Sequence, residues 1–140
     1  MGRISNMLLC LRYPFLRIPG MYFSETWYDD VLAGWQKGFG RQMLRDIRKA
    51  CVKTHSLHRM KILEVKEKRG MLDIICICPD EVQKAVMEWE DLSRSYCCLC
   101  GKPATEQTDG WIRYYCKDCY DRYFKEGNEY DKEHKETRKR

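Results

Sequence analysis

The chain has 140 residues, of which 44% are hydrophobic and 34% charged, and carries a formal net charge of +5. This is too apolar for a wholly disordered chain, and the length suits one small domain with a short appendage. The mild positive charge leaves anionic partners open but argues against DNA mimicry, which needs a strongly acidic face.

The first twenty residues contain no acid; Arg12, Pro14 and Arg17 interrupt their apolar run Met7-Leu8-Leu9-Cys10-Leu11. A secretory signal needs a longer apolar stretch and a small-residue cleavage site, and a membrane span needs about 20 apolar residues, so a cytoplasmic protein is expected. From Trp27 to Thr54 the residues Val31, Trp35, Phe39, Met43, Ile47 and Cys51 recur every fourth position. That stripe predicts helix, and Gly34, Gly38 and Gly40 predict a break within it. The expectation is a short turn near Thr26 to Ala33 and a firmer helix from Gln36 to Lys53.

Met60 to Glu67 and Leu72 to Cys78 are β-branched or partly alternating, with Lys68-Arg69-Gly70 between them, and predict an antiparallel hairpin. Pro79-Asp80-Glu81 then opens a helix, with the proline in the first turn and acids at the positive end of the dipole. Val82, Val86, Trp89 and Ser93 form its inward stripe. An isolated hairpin is marginal in water, so both helices are expected on one of its faces.

The chemistry concentrates nearer the C-terminus. Cys97 and Cys100 form one C-x2-C pair and Cys116 and Cys119 a second, with fifteen residues between the pairs. This is the spacing of a four-thiolate zinc site, in which two tight turns each present two sulfurs to one ion. Gly101 and Gly110 suit the turns such a site requires. Cys98 is a poorer ligand than Cys97, because pairing it with Cys100 gives an unusual C-x-C. Two disulfides would need an oxidising compartment, for which the chain shows no sign. The expected cofactor is Zn2+ in a closed structural site. Of the other cysteines, Cys76 and Cys78 share a strand face and read as small core residues in preference to a second metal site, and Cys10, Cys51 and Cys98 receive no role.

The fold class that emerges is α+β: a small helix–β-hairpin–helix domain followed by a four-cysteine zinc ribbon. The segments are 1–25 (N-terminal), 26–95 (helix–hairpin–helix), 96–124 (ribbon) and 125–140 (charged tail). Enzymatic readings are poor. His55, His58 and His134 stand in no metalloprotease or deaminase motif, and Gly34, Gly38 and Gly40 form no phosphate loop. Glu64, Glu67, Glu88 and Glu90 fit charged strand and helix faces.

Trp111, Tyr114, Tyr115, Tyr120, Tyr123 and Phe124 crowd the ribbon, interleaved with Lys102, Arg113, Lys117 and Arg122. Such a mixture marks either a nucleic-acid groove or a protein interface. The candidate partner-binding residues are therefore Arg113, Tyr114, Tyr115, Lys117, Tyr120 and Arg122. Trp111 and some of the tyrosines can instead build the ribbon's own small core and its seam with the main domain. Lys102, Arg113 or Lys117 can offset the net charge of −2 on a zinc held by four thiolates.

The landmarks Tyr13-Pro14, Gly34-Trp35, Val65-Lys66-Glu67-Lys68-Arg69-Gly70, Cys97-x-x-Cys100-Gly101-Lys102-Pro103-Ala104, Gly110-Trp111-Ile112-Arg113 and Cys116-x-x-Cys119 resemble a family of small zinc-ribbon proteins of bacteria and their phages or prophages. The resemblance covers roughly residues 11 to 124. It departs at the hairpin turn, where Arg69 and Met71 replace an aromatic and a second glycine. It implies a fold rather than a settled activity. Small phage proteins of this build look like inhibitors of host defence, some of them zinc-containing anti-CRISPR proteins. By that analogy the expectation is a non-enzymatic inhibitor in the bacterial cytoplasm that binds a host protein, a CRISPR-associated RNA-guided nuclease of type II, and blocks target-DNA loading. The alternative is a nucleic-acid-binding ribbon in transcription or replication.

Overall fold

The structure, a computed structural model, describes residues 2–125. The charged tail expected over 125–140 lies, beyond Lys125, outside the described residues. No helix among the described residues is long and apolar enough to cross a membrane.

Helix α1, Arg3–Arg12, buries Asn6, Leu9 and Cys10. The chain then turns through a 3-10 segment, Pro14–Leu16, where proline supplies the fixed φ of a first turn. Asn6 Nδ2 donates to the Phe23 carbonyl at 2.8 Å, which ties the following loop back onto α1. Leu9, Cys10, Tyr13, Phe15 and Leu16 all join the main hydrophobic cluster, so residues of segment 1–25 share one core with those of 26–95. A second 3-10 segment, Trp27–Asp30, starts with a capping box in which the Thr26 N–H donates to Asp29 Oδ2 at 2.8 Å.

The stripe from Trp35 to Cys51 is buried as its spacing demands. The short turn expected near Thr26 to Ala33 is the 3-10 segment Trp27–Asp30, but the break from the firmer helix falls at Val31 and Leu32, before the glycines. Helix α2, Ala33–Trp35, runs through a wide turn of π type, Gln36–Gly40, directly into α3, Arg41–Lys53. The glycines answer instead to what packs on them, as described below. A single widened turn within a helix of this kind often marks a functional contact.

Strands β1, Lys61–Lys68, and β2, Met71–Ile77, pair antiparallel, with a bulge between Ile62 and Glu64. Lys68, expected in the turn, instead ends β1 paired with Met71, and the remaining two-residue connection places Arg69 at φ 54° and Gly70 at φ 81°. Two successive left-handed residues match the primed turns whose twist suits a hairpin, so Arg69 pays the strain that an aspartate or asparagine would lessen. The Gly70 N–H donates to Glu67 Oε1 at 2.7 Å and steadies the turn.

Helix α4, Asp80–Ser93, has Pro79 as its N-cap rather than inside its first turn. Val82, Val86, Trp89 and Ser93 face inward as predicted. Of the two long helices, α4 packs on β2 and α3 packs on α4, while β1 lies against the two 3-10 segments. The buried face of the hairpin is thus covered by more of the N-terminal chain than its own sequence reveals, while Leu63, Ile75 and Ile77 stay exposed. Trp89 Nε1 donates to Asp46 Oδ2 at 2.8 Å, and its indole stacks on Phe39 at a centroid distance of 5.2 Å, which joins α3 and α4.

The outer edge of β2 is satisfied by side chains of α4. The Leu72 N–H donates to Ser93 Oγ at 2.9 Å and the Ile74 N–H to Glu90 Oε2 at 3.1 Å. Covering an edge in this way removes a template for strand addition. Ser93→Ala strands the buried Leu72 N–H and should cost about 1–3 kcal/mol. The check is a lower urea midpoint at an unchanged denaturant slope.

Candidate metal centre

After α4 the chain enters the first cysteine turn. The Cys97 N–H donates to the Lys102 carbonyl at 2.7 Å and the Gly101 N–H to the Cys97 carbonyl at 3.0 Å, a tight loop around one sulfur pair. Two short strands follow, β3, Glu106–Gln107, and β4, Tyr114–Tyr115, paired antiparallel. The buried Thr108 closes their loop: its hydroxyl donates to the Trp111 carbonyl at 2.6 Å and accepts from the Arg113 N–H at 2.8 Å. Cys116 then caps the short helix α5, Lys117–Cys119, with its sulfur accepting from the Cys119 N–H at 3.4 Å.

These two loops bring Cys97, Cys100, Cys116 and Cys119 together, their sulfurs all within 4.8 Å of one another. Cys100 Sγ and Cys116 Sγ stand 3.5 Å apart. Four sulfurs held tetrahedrally at ~2.3 Å from one ion would be about 3.8 Å apart, so the cluster has the dimensions to hold a metal ion. Cys97 and Cys116 are buried and Cys100 and Cys119 half-buried. Burial works against ionisation of Cys97, but N–H groups of Cys116, Cys100 and Leu99 directed at its sulfur outweigh it and hold its pKa down at about 7. Burial and the neighbouring thiols push Cys119 strongly the other way. Four thiolates crowded at this distance repel one another, and a divalent cation is what allows them to ionise together.

Cys98 takes no part in the cluster. It is 4% exposed and belongs to the main core, where burial raises its pKa. Its backbone does the connecting: the Gly34 N–H donates to its carbonyl at 3.0 Å, and its own N–H donates to the Tyr114 carbonyl at 3.2 Å.

The first cysteine turn is seated directly on helix backbone. A Cβ at Gly34 would land on the carbonyl oxygen of Cys97 and the carbonyl group of Cys98, and one at Gly38 would meet Gly101 O and the Tyr96 ring at 2.8 Å. Conversely, a Cβ at Gly101 would meet Gly34 O at 2.6 Å and Gly38 N at 2.7 Å. Gly34 and Gly38 are therefore positioning residues for the metal centre, read from sequence only as helix breakers. Their spacing of four, which puts both on one helix face, was the signal that could have shown otherwise.

The candidate partner-binding residues are dispersed by the fold. Tyr114 and Tyr115 are half-buried; Tyr115 packs on the core, and the Tyr114 ring lies against Gly70 of the hairpin turn. Arg113 turns toward β1, its guanidinium 3.9 Å from Glu67 Oε2. Tyr120 is half-buried, whereas Lys117 and Arg122 are exposed. Of the cations expected to offset the cluster's charge, Lys102 lines its open side, together with Arg122 and the carboxylates of Asp118 and Asp121. Trp111 and Tyr123 are the ribbon aromatics that stand clear in solvent, at 75% and 60% exposure. Comparison with protein-family models, with curated proteins and with solved structures returns no match.

Proposed function

We propose that this chain is a non-enzymatic binding protein stapled by one Zn2+ ion at Cys97, Cys100, Cys116 and Cys119, in the manner of a zinc ribbon, and that its partner is a protein. Four thiolates fill a tetrahedral zinc, so the ion serves folding rather than reaction. The observation that carries the binding role is the solvent face of α1. Ile4, Leu8 and Leu11, at 76%, 63% and 77% exposure, follow one another along the helix beside the half-exposed Met7. A helix apolar on its outer face as well as its inner one marks a contact surface.

Arginines rim this ridge. Leu8 borders a groove shared with Arg12, Arg41 and Arg45, and Met7 and Leu11 border another with Arg17 and Phe23. The complementary surface is an apolar protein groove with acidic edges. Given the resemblance to small zinc-ribbon proteins of phages and prophages, we assign the partner to the RNA-guided nucleases of type II CRISPR systems, with target-DNA loading as the step blocked. The exposed Trp111 and Tyr123 with Lys117 and Arg122 favour a second reading, nucleic-acid binding by the ribbon.

The test adds the purified protein to a guide-loaded type II effector and measures target-DNA binding. Inhibition should be stoichiometric, and Leu8→Glu or Leu11→Glu should weaken it by roughly 30-fold or more, the loss of one anchor, with zinc retained. Trp111→Ala should change it less than tenfold. Absence of any association with such effectors removes this partner. Tight, steeply salt-dependent binding to short DNA or RNA, lost in Trp111→Ala, would establish the second reading.

A further inference from the structure

The core face of β2 runs Leu72, Ile74, Cys76 and continues past the strand end to Cys78. There two thiols meet, with Sγ atoms 3.5 Å apart. Both approach the Gln83 carboxamide oxygen, Cys76 at 3.5 Å and Cys78 at 3.6 Å. Cys78 also lines a cavity of about 230 Å³ shared with His55, Arg59 and Met60, which gives the pair a route to solvent. More sulfur stands close by: Met60 Sδ lies 3.6 Å from Cys51 Sγ, and Cys51 is near enough to interact electrostatically with both Cys76 and Cys78.

We propose that Cys76 and Cys78 form a second metal site, a two-thiolate clasp for a soft monovalent cation of the Cu(I) class. Thiolate and thioether surroundings select such an ion. Zinc fits poorly here because it requires four ligands, and the Cys97 cluster is the only gathering of three or more candidate ligands among the described residues. A disulfide fits poorly as well. Residues two apart on a strand have Cα atoms ~6.6 Å apart, near the upper limit for an S–S bridge. Binding is a simple displacement. Two S–H bonds break, two Cu–S bonds form, both protons leave to solvent, the complex carries one negative charge, and no electron is transferred.

The experiment is an anaerobic titration of the zinc-loaded full chain with Cu(I), competed against a chromogenic Cu(I) chelator, with free zinc measured in parallel. One equivalent of Cu(I) should bind before any zinc appears, with release of two protons. The Cys76→Ser/Cys78→Ser double variant should lose that equivalent while keeping its zinc. Cys78 lies beyond the strand and beside the cavity, so Cys78→Ser alone is the milder variant, and it should weaken copper binding by about 100-fold or more. Zinc released in step with the first copper, or a first equivalent that survives in Cys78→Ser at full affinity, overturns the proposal.

Discussion

Cys116→Ser should abolish metal binding and unfold the chain from about Cys97 to Cys119. The sulfur of Cys116 lies 3.5 Å from that of Cys100 and also caps α5, so one substitution removes a ligand and an N-cap together. The β3–β4 pair has only two residues per strand and cannot hold the loops by itself. A structural zinc contributes roughly 10 kcal/mol or more to folding, far above the net stability of a domain this size. Cys98→Ser is the matched control, because its thiol lies in the core and outside the cluster. It should cost about 1–3 kcal/mol for burying a hydroxyl and leave the metal in place. Metal content and amide-proton exchange of both variants provide the check; metal loss in Cys98→Ser with retention in Cys97→Ser would reverse the ligand assignment.

Gly34→Ala should be the most damaging alanine substitution among the described glycines. The new Cβ would fall on backbone atoms of Cys97 and Cys98, not on a flexible side-chain tip. Those atoms have no room to give way. Cys97 is buried and bonded to Lys102, Cys98 accepts from Gly34 itself, and the Cys98 N–H is held by Tyr114. Overpacking a core costs roughly 1–3 kcal/mol where neighbours can shift, and this site should reach or exceed the top of that range. Gly110→Ala tests the logic from the other side. It has φ +75° but no heavy atom near its Cβ position, so its cost should be about 1 kcal/mol of backbone strain alone. Denaturant midpoints should rank Gly34→Ala well below Gly110→Ala, with Gly34→Ala also lowering zinc affinity.

What the sequence made legible is what local physics decides. The stripe Trp35 to Cys51, the antiparallel hairpin and the inward face of α4 each follow from periodicity or turn chemistry within a few residues. The four cysteines were legible for the same reason, since two close pairs declare their own geometry. Long-range contacts were not legible. Gly34, Gly38 and Gly40 look like breakers until the Cys97–Gly101 loop is seen resting on the first two, and a Cβ at Gly40 would strike the Tyr28 ring. The tyrosines of β4 look like surface residues until the hairpin turn and the core cover them, while Trp111, expected as a core candidate, stands exposed at the loop tip. Composition alone cannot say which aromatic of such a cluster is covered.

A metal ion, rather than a pair of disulfides, is expected to tie the two cysteine turns together. Native mass spectrometry of the purified chain, repeated under denaturing conditions, tests it most directly. The native spectrum should show one zinc per chain and, after denaturation, a metal-free mass with all nine cysteines as thiols. A folded chain without metal, or a denatured mass showing hydrogens lost to disulfides among Cys97, Cys100, Cys116 and Cys119, would contradict it.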